Sequence, residues 1–188
     1  MASTIRGNDN FDSAGPFGSL EFLSETNITS DVAYIDISFP TGYRGFYLAF
    51  NQMSVTGSNT YGSNLNIVLK DSSGNLVTNN GTYCFSEWYQ EYWYNRESWP
   101  LGYVGHDLAE NVKNSVFVTI MNPRDADIQT SFHSTGGGFL AEYGTVTYKG
   151  ANAQGNHRYA QDNSGIRVSV YSKTISSNSH SYAVWGIK

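Results

Sequence analysis

The chain has 188 residues, of which 39% are hydrophobic and 15% aromatic, enough to bury one core and to exclude a disordered chain. Charged residues make up only 14%, the formal net charge is -5, and no cluster of Lys and Arg occurs, which argues against a nucleic-acid partner. The single cysteine, Cys84, cannot form a disulfide within the chain. No apolar run resembles a signal peptide or a membrane span, so we expect a soluble protein made in the cytoplasm.

The first part of the chain is predicted to be an extended N-terminal arm. Residues 1–22 are interrupted throughout by Gly, Asn, Asp, Ser and Pro, which break any periodic pattern. Residues 23–188 show no comparable change in composition and no internal repeat. We therefore predict an arm over 1–22 and a single domain over 23–188.

From Val32 onward, apolar and polar residues alternate with a period of two, which predicts strands that bury one face. The alternating segments are Ile35–Phe39, Phe46–Phe50, Leu65–Leu69, Val116–Ile120 and Ile166–Val170, and the last strand is SYAVWGIK at 181–188. About eight to ten short strands at this spacing are typical of a sandwich. The predicted fold is all-β, an antiparallel jelly-roll-like β-sandwich.

Several connections can be predicted from their turn residues. Residues 71–75, DSSGN, predict a hairpin that continues into Leu76 and Val77. Asn122 and Pro123 should end a strand whose partner is IQTSFHS at 128–134. Residues 136–138 are three glycines, predicted as a mobile loop before one strand over residues 139–149, FLAEYGTVTYK.

The sequence contains no strong catalytic or metal-binding motif. Glu87, Glu91 or Glu97 would suit sugar hydrolysis. In a strand Glu87 and Glu91 lie about 13 Å apart, too far for a retaining pair, whereas in a helix they would be neighbours, so the sequence leaves their geometry open. His106, His133, His157 and His180 have no metal-ligand spacing between them. Asp71 and residues 124–127, RDAD, are the nearest candidates for a calcium loop, but they are typical of ordinary turns. We expect no enzyme activity, metal or cofactor.

An aromatic segment at residues 83–99 is the sharpest feature of the chain. Flat rings beside polar side chains are typical of sugar-binding platforms, and the same residues are enriched at protein interfaces and in cores. The sequence leaves these alternatives open. The candidate contact residues, for a glycan or for a subunit, are Trp88, Tyr89, Tyr92, Trp93, Tyr94, Arg96 and Trp99.

The order of these motifs resembles a diffuse family of tailed-phage virion proteins, which includes tail, fibre and other structural proteins. The resemblance covers most of the chain from about residue 31, and it rests on YRGFYLAFNQMSV, NLNIVLKDSSGNLV, YCFSEWYQEYWYN, VFVTIMNP and GIRVSVYSKTISSNSHSYAVWGIK. It implies a jelly-roll-like sandwich carried on a virion, and it transfers no catalytic residues.

Together, these observations predict a non-enzymatic structural protein of a phage virion, either a capsid decoration or cement protein or a tail-associated one. The expected partners are copies of the chain, as a homotrimer, and other capsid or tail proteins. The alternative is a host-receptor module of a tail fibre that binds surface glycan through the aromatic segment.

Overall fold

The computed structural model describes residues 19–57, 63–79, 83–87, 98–106, 113–142 and 145–188, with the backbone alone at 83–87, 102–106, 137–142 and 145–151. Within these ranges the regular elements are all strands, and no helix long and apolar enough to cross a membrane occurs there. The strands are β1 Leu20–Asn27, β2 Tyr34–Ser38, β3 Gly45–Thr56, β4 Ser63–Asp71, β5 Tyr83–Glu87, β6 Trp99–His106, β7 Asn114–Met121, β8 Gln129–Glu142, β9 Thr145–Ala160, β10 Asn163–Val170, β11 Thr174–Ile175 and β12 Ser181–Ile187.

The strands form two sheets. The larger sheet has the order β1-β12-β3-β7-β8-β9-β5, and the smaller sheet has the order β2-β10-β4-β6. Neighbouring strands within each sheet are antiparallel, and the sheets pack face to face as a sandwich. The predicted all-β sandwich is confirmed, whereas the jelly-roll connection remains a prediction.

The core lies between the inner faces of the two sheets. On β3 of the larger sheet, Phe46, Leu48 and Phe50 are fully buried, and on β4 of the smaller sheet Leu65 and Ile67 are fully buried. These are the apolar positions of the period-two pattern. They lie on one face of each strand, and that face is buried in the core. Each such side chain contributes roughly 1.5–3 kcal/mol of transfer free energy to folding.

Two aromatic pairs join the sheets across the core. The ring of Phe39, just after β2, stacks on Phe46 of β3 with centroids 4.3 Å apart. The ring of Trp99, on β6, lies 4.3 Å from that of Phe132 on β8. Close contacts of this kind fix the distance between the sheets.

Strand β3 connects the two sheets at one end. Its pairing with β7 shifts between Phe50 and Met53, and Gln52 within this bulge has a φ of 49°. A bulge bends a strand and increases its twist. Beyond it, Ser54 and Val55 pair in parallel with the end of β6, a strand of the smaller sheet.

The predicted hairpin over 71–75 is confirmed. The carboxylate Oδ1 of Asp71 accepts hydrogen bonds from the backbone N–H groups of Ser73 (2.9 Å) and Asn75 (2.8 Å). Gly74 has a φ of +84°, a conformation that glycine adopts without steric cost. The returning chain bonds through the Val77 N–H to the carbonyl of Leu69, at 2.9 Å.

The prediction that Gly136, Gly137 and Gly138 form a mobile loop is wrong, because all three lie within β8. Gly136 pairs with Val116 of β7, and a Cβ at this position would lie 2.6 Å from the carbonyl oxygen of Ser115. The close approach of the two backbones, and not loop flexibility, explains a glycine here.

The segment 139–149, predicted as one strand, contains the end of β8 and the start of β9. The two strands pair from Glu142 opposite Thr145 back to Gln129 opposite Ala160. The segment is therefore the tip of a long hairpin, and Tyr143 and Gly144 lie outside the described residues.

The last residues of the arm predicted over 1–22 belong to a strand. Strand β1 begins at Leu20, and Leu20 and Phe22 pair with Ile187 and Trp185 of β12. Cross-strand pairing overrides the local break signals here, since the neighbouring strand supplies partners for the backbone. Residues 1–18 lie outside the described part of the chain.

Candidate functional site

Trp99, one of the predicted contact residues, belongs to the core. Its side chain has 0% exposure and packs against Phe132. The ring therefore cannot meet a glycan or a neighbouring subunit while the domain is folded. Leu101, two residues further along β6, is also fully buried, so Trp99 lies on the face of the strand that points into the core.

The other predicted contact residues, Trp88, Tyr89, Tyr92, Trp93, Tyr94 and Arg96, lie outside the described residues, as do Glu91 and Glu97. Glu87 ends β5, with Ala153 of β9 opposite it. The prediction of a contact platform in this segment remains a prediction for those positions.

The described histidines occupy separate places in the fold. His157 is fully buried on β9, and its Nδ1 lies 2.7 Å from the carbonyl oxygen of Tyr159, which identifies Nδ1 as the protonated nitrogen of a neutral ring. Burial lowers the pKa of His157 below its usual value. His133 is exposed on β8. Among the described residues no group of three or more His, Cys, Asp or Glu side chains could hold a metal ion.

The two candidate calcium loops use their carboxylates to form turns. Hydrogen bonds from backbone N–H groups, above all that of Asn75, lower the pKa of Asp71. Asp125 accepts a hydrogen bond of 2.9 Å from the N–H of Asp127. Arg124 forms an ion pair with Asp162, with 3.0 Å between Nη1 and Oδ1. These arrangements are those of Asx turns and a surface ion pair.

A cluster of aromatic rings lies on the outer face of the larger sheet. The ring centroids of Phe22 and Trp185 are 5.8 Å apart, those of Trp185 and Tyr47 are 5.5 Å apart, and those of Tyr47 and Phe117 are 6.3 Å apart. The rings come from β1, β12, β3 and β7, four adjacent strands. We call these four residues the aromatic cluster; Phe22 is 58% exposed and the other three are partly exposed.

Strand register places two alanines beside the cluster. Ala183 of β12 and Ala49 of β3 are paired with each other, two residues along from the Trp185–Tyr47 pair, and Ala49 also pairs with Phe117. Residues two apart in a strand point to the same face. Both alanines are only 4% exposed, so the taller side chains around them cover them almost completely; we call these two residues the alanine floor.

A row of polar side chains borders the other side of the alanine floor. Asn51 Nδ2 donates a hydrogen bond to Ser181 Oγ (3.3 Å), and Ser181 Oγ donates one to Glu25 Oε1 (2.8 Å). Asn51 and Ser181 are directly paired across β3 and β12. Glu25 is itself paired with Ala183 of β12, so its side chain stands beside the alanines and reaches across to Ser181.

The outer face of the smaller sheet has a different character. Arg167 of β10 donates two hydrogen bonds to Asp36 of β2, and the guanidinium lies 3.6 Å from the ring centroid of Tyr34. Lys70 of β4 lies 3.2 Å from the same carboxylate. The hydrogen bonds from Arg167, followed by those from Lys70, lower the pKa of Asp36. This network places two cations and one carboxylate on the outer face of the smaller sheet.

A cavity of about 270 Å³ opens between the edges of the two sheets, near β1, β2 and β12. Its wall is mainly apolar, and the Asp36 carboxylate at its rim is already bonded to Arg167. The lining residues are Leu23, Ser24, Asp36, Ile37, Ser38, Pro40, Tyr182 and Val184. We assign no chemistry to it.

The aromatic cluster was not predicted from the sequence. Tyr47, Phe117 and Trp185 lie on the outward faces of strands that were predicted from their inward residues, and Phe22 was assigned to the arm. The sequence does contain a signal for the cluster. Tyr47, Phe117 and Trp185 are aromatic residues at outward positions of the alternating pattern, where polar residues are expected. The pairing of the strands, which brings these positions together, does not follow from any one segment.

No protein-family model matches this chain, and no curated protein matches it. Among solved structures, the chain is similar to the CBM2 module of the evolved Dit of Lactobacillus casei BL23 phage J-1. The sequence identity is 12% and the TM-score is 0.25, with 93% of this chain and 80% of that chain covered. A TM-score of this size shows neither a shared fold nor a shared function.

Proposed function

We propose that this chain is a non-enzymatic structural protein of a tailed-phage virion, a capsid decoration or cement protein or a tail-associated one. It acts through contacts with copies of itself, as a homotrimer, and with other virion proteins. The virion context rests on the resemblance of five sequence stretches from about residue 31 onward to phage structural proteins.

The observation that carries an assembly role is the pair of apolar side chains at the start of β1. Leu20 is 60% exposed and Phe22 is 58% exposed, on the strand that begins within the predicted arm. Large apolar side chains that stay in water on an isolated protein are typical of surfaces that become covered by a partner. Attachment to the particle then uses these side chains together with the residues that precede them in the chain.

Strand β1 also supports assembly through its backbone. Within the described part of the chain, β1 pairs with β12 alone, so its second edge faces away from the sheet. An edge of this kind can accept a further strand from another chain, with side-chain contacts providing specificity. The arm of a neighbouring copy is the segment that would occupy this edge.

Deletion of residues 2–18 tests this proposal, since it removes the arm and retains β1. Phage particles that lack the chain are mixed with full-length or arm-deleted protein, and the amount bound per particle is measured by quantitative mass spectrometry. We expect the apparent affinity to fall about tenfold or more, which corresponds to a loss of about 1.4 kcal/mol or more of binding free energy.

A matched pair of substitutions tests the exposed side chains themselves. Phe22→Ser should weaken particle binding, whereas Tyr171→Ser should not, although Tyr171 is an aromatic residue with 80% exposure. Unchanged particle occupancy after both the arm deletion and Phe22→Ser would overturn the proposal. Cryo-electron microscopy of the reconstituted particles then distinguishes a head location from a tail location.

A further inference from the structure

We propose that the open side of the sandwich between β1 and β2 is a docking site for residues 1–18 of a second copy of the chain. We call this open side the seam; it consists of the outer edges of β1 and β2 and the cavity between them. A large apolar side chain of the incoming segment occupies the cavity. This docking rests on the assembly role proposed above and gives it a site, a partner segment and an anchoring residue.

The outer edge of β2 presents backbone groups to a further strand. In an antiparallel ladder, residues that bond to the partner strand alternate with residues whose N–H and C=O groups point away from it. The Phe39 N–H donates to the Ser164 carbonyl (2.8 Å), so Ile37 and Ile35 also bond to β10. Next to them lie the residues whose backbone groups point to the open edge: Tyr34, Asp36 and Ser38. In the described part of the chain no strand pairs with this edge.

The outer edge of β1 presents backbone groups in the same way. The Ile28 N–H donates to the His180 carbonyl (3.1 Å) at one end, and the Lys188 N–H donates to the Ser19 carbonyl (3.1 Å) at the other. Counted in steps of two from these bonds, the groups that point away from β12 are those of Leu20, Phe22, Glu25 and Asn27. Both edges can therefore exchange hydrogen bonds with an extended segment.

The two edges border one cavity of about 270 Å³. Strand β1 contributes Leu23 and Ser24 to its wall, and β2 contributes Asp36, Ile37 and Ser38. Packed sheets lie about 10 Å apart and paired strands about 4.8 Å apart, so a strand placed midway between the sheets is at pairing distance from both edges. The seam therefore has room for about one strand.

The interior of the seam is apolar. Ile37 is 5% exposed and Val184 of β12 is 3% exposed, and the partly buried Leu23 and Tyr182 border the same cavity. An apolar side chain placed here leaves water, whereas the polar atoms of its backbone bond to the strand edges. The cavity therefore selects a segment that carries a large apolar side chain.

Residues 1–18 supply three large apolar side chains besides Met1, which are Ile5, Phe11 and Phe17. Phe17 stands two positions before Ser19, at most about 7 Å along an extended chain, so it stays beside its own domain. Phe11 stands eight positions before Ser19, up to about 26–29 Å away, which is about the length of the eight-residue strand β1. Phe11 can therefore reach a neighbour, and its ring offers more apolar surface than Ile5, so we assign it as the anchoring residue.

A second copy supplies the segment without a reversal of the chain. Strand β1 leads from Leu20 toward the cavity at Leu23 and Ser24, so a chain must turn back between Phe11 and Leu20 to enter its own seam. The segment of a neighbour needs no such turn. A contact in which the segment of one copy enters the seam of the next is heterologous, and such contacts close into a ring when the rotation fits. This arrangement agrees with the homotrimer proposed above.

Disulfide trapping tests the contact directly. Ser38 lines the cavity and is exposed, so Ser38→Cys is accessible to Phe11→Cys of another chain. Chains with Phe11→Cys and differently tagged chains with Ser38→Cys, both also carrying Cys84→Ala, are coexpressed and oxidised. We expect a covalent dimer on non-reducing gels that contains both tags. Thr135→Cys, at an exposed position of β8, replaces Ser38→Cys in the matched control and should give no such dimer.

The solution mass tests the anchor and the cavity separately. Phe11→Ser removes the anchoring ring, and Ser24→Trp fills the cavity from an exposed position of β1. Each should raise the concentration at which the trimer dissociates by at least about tenfold in multi-angle light scattering. Thr135→Trp, at an exposed strand position outside the seam, is the matched control and should leave the mass unchanged. Circular dichroism checks that each variant is folded.

Three results would overturn the proposal: an original chain that is monomeric at every concentration, a cross-link that forms only within a chain carrying both Phe11→Cys and Ser38→Cys, or an unchanged trimer mass in both Phe11→Ser and Ser24→Trp. The second result would identify the seam as the site of the chain's own segment.

Particle occupancy separates this docking from virion attachment. If deletion of residues 2–18 abolishes particle binding while no cross-link forms between chains, the seam is excluded and virion attachment stands. If the cross-link forms and particle binding persists after the deletion and in Phe22→Ser, virion attachment is excluded and the seam stands.

Discussion

Arg167 and Asp36 occupy directly paired positions on β10 and β2, and the guanidinium donates two hydrogen bonds of 2.8 Å to the two carboxylate oxygens. Both side chains are partly exposed, so water weakens the attraction between the charges. The two-bond geometry nevertheless makes this pair stronger than a typical surface ion pair. It fixes the register of β2 at the edge of the smaller sheet.

We predict that Asp36→Asn lowers the free energy of unfolding by roughly 1 kcal/mol at neutral pH. The pKa of Asp36 is lowered in the folded state, so its contribution is present above the ordinary carboxyl pKa and is lost as the pH falls through the folded value. Urea titrations at several pH values should therefore show the difference at pH 7 and its disappearance in strong acid. Asp127→Asn, at an exposed turn position, is the control and should change little; an equal loss in both variants would contradict the assignment.

Trp99→Ala should destabilise the domain by roughly 3–5 kcal/mol, because it leaves a large cavity between β6 and β8. Trp99→Phe should cost less, since a ring can still contact Phe132. Equilibrium denaturation measures both values. A loss below roughly 0.5 kcal/mol in the alanine variant, as expected for an exposed platform residue, would show that the ring is not in the core.

Gly136→Ala should destabilise the pairing of β7 and β8. The added methyl group would lie 2.6 Å from the Ser115 carbonyl oxygen and 3.0 Å from the Val116 Cα, so two backbones must separate. We expect a loss of roughly 1–3 kcal/mol in thermal or chemical unfolding. Thr135→Ala, at the preceding exposed position, should have a small effect. If Gly136→Ala were as stable as the original chain, Gly136 would behave as a loop residue, and the close pairing of β7 and β8 would be contradicted.

His157 should make the domain sensitive to mild acid. Burial lowers its pKa in the folded state, so below the ordinary histidine pKa of about 6.5 the unfolded chain gains a proton that the folded chain resists. Stability should therefore fall as the pH decreases from about 7 to 5, by at most about 1.4 kcal/mol per pH unit from this group. Imidazole ¹⁵N NMR should show the neutral ring of His157 with its proton on Nδ1, and a titration midpoint below that of an exposed histidine. A His157→Asn variant should have a shallower pH slope, and an unchanged slope would exclude this residue as the cause.

The sequence by itself determined the strands that bury one face in the core. The alternation at Phe46, Leu48 and Phe50, and at Leu65, Ile67 and Leu69, predicted these strands because the period of the side chains is a local property. The 71–75 turn was predictable for the same reason, since Asp71 and Gly74 act within five residues. The sandwich class followed from the number and spacing of such segments.

The tertiary structure alone decided which outward residues become neighbours. Trp185 and Tyr47 are 138 positions apart in the chain, and only the pairing of β12 with β3 brings their rings together. In the same way, the pairing of β8 with β7 makes Gly136 a contact position, the pairing of β1 with β12 places β1 in the sheet, and the packing of β6 against β8 buries Trp99. Register depends on the summed burial of many side chains and on backbone partners from distant segments, so no local pattern specifies it.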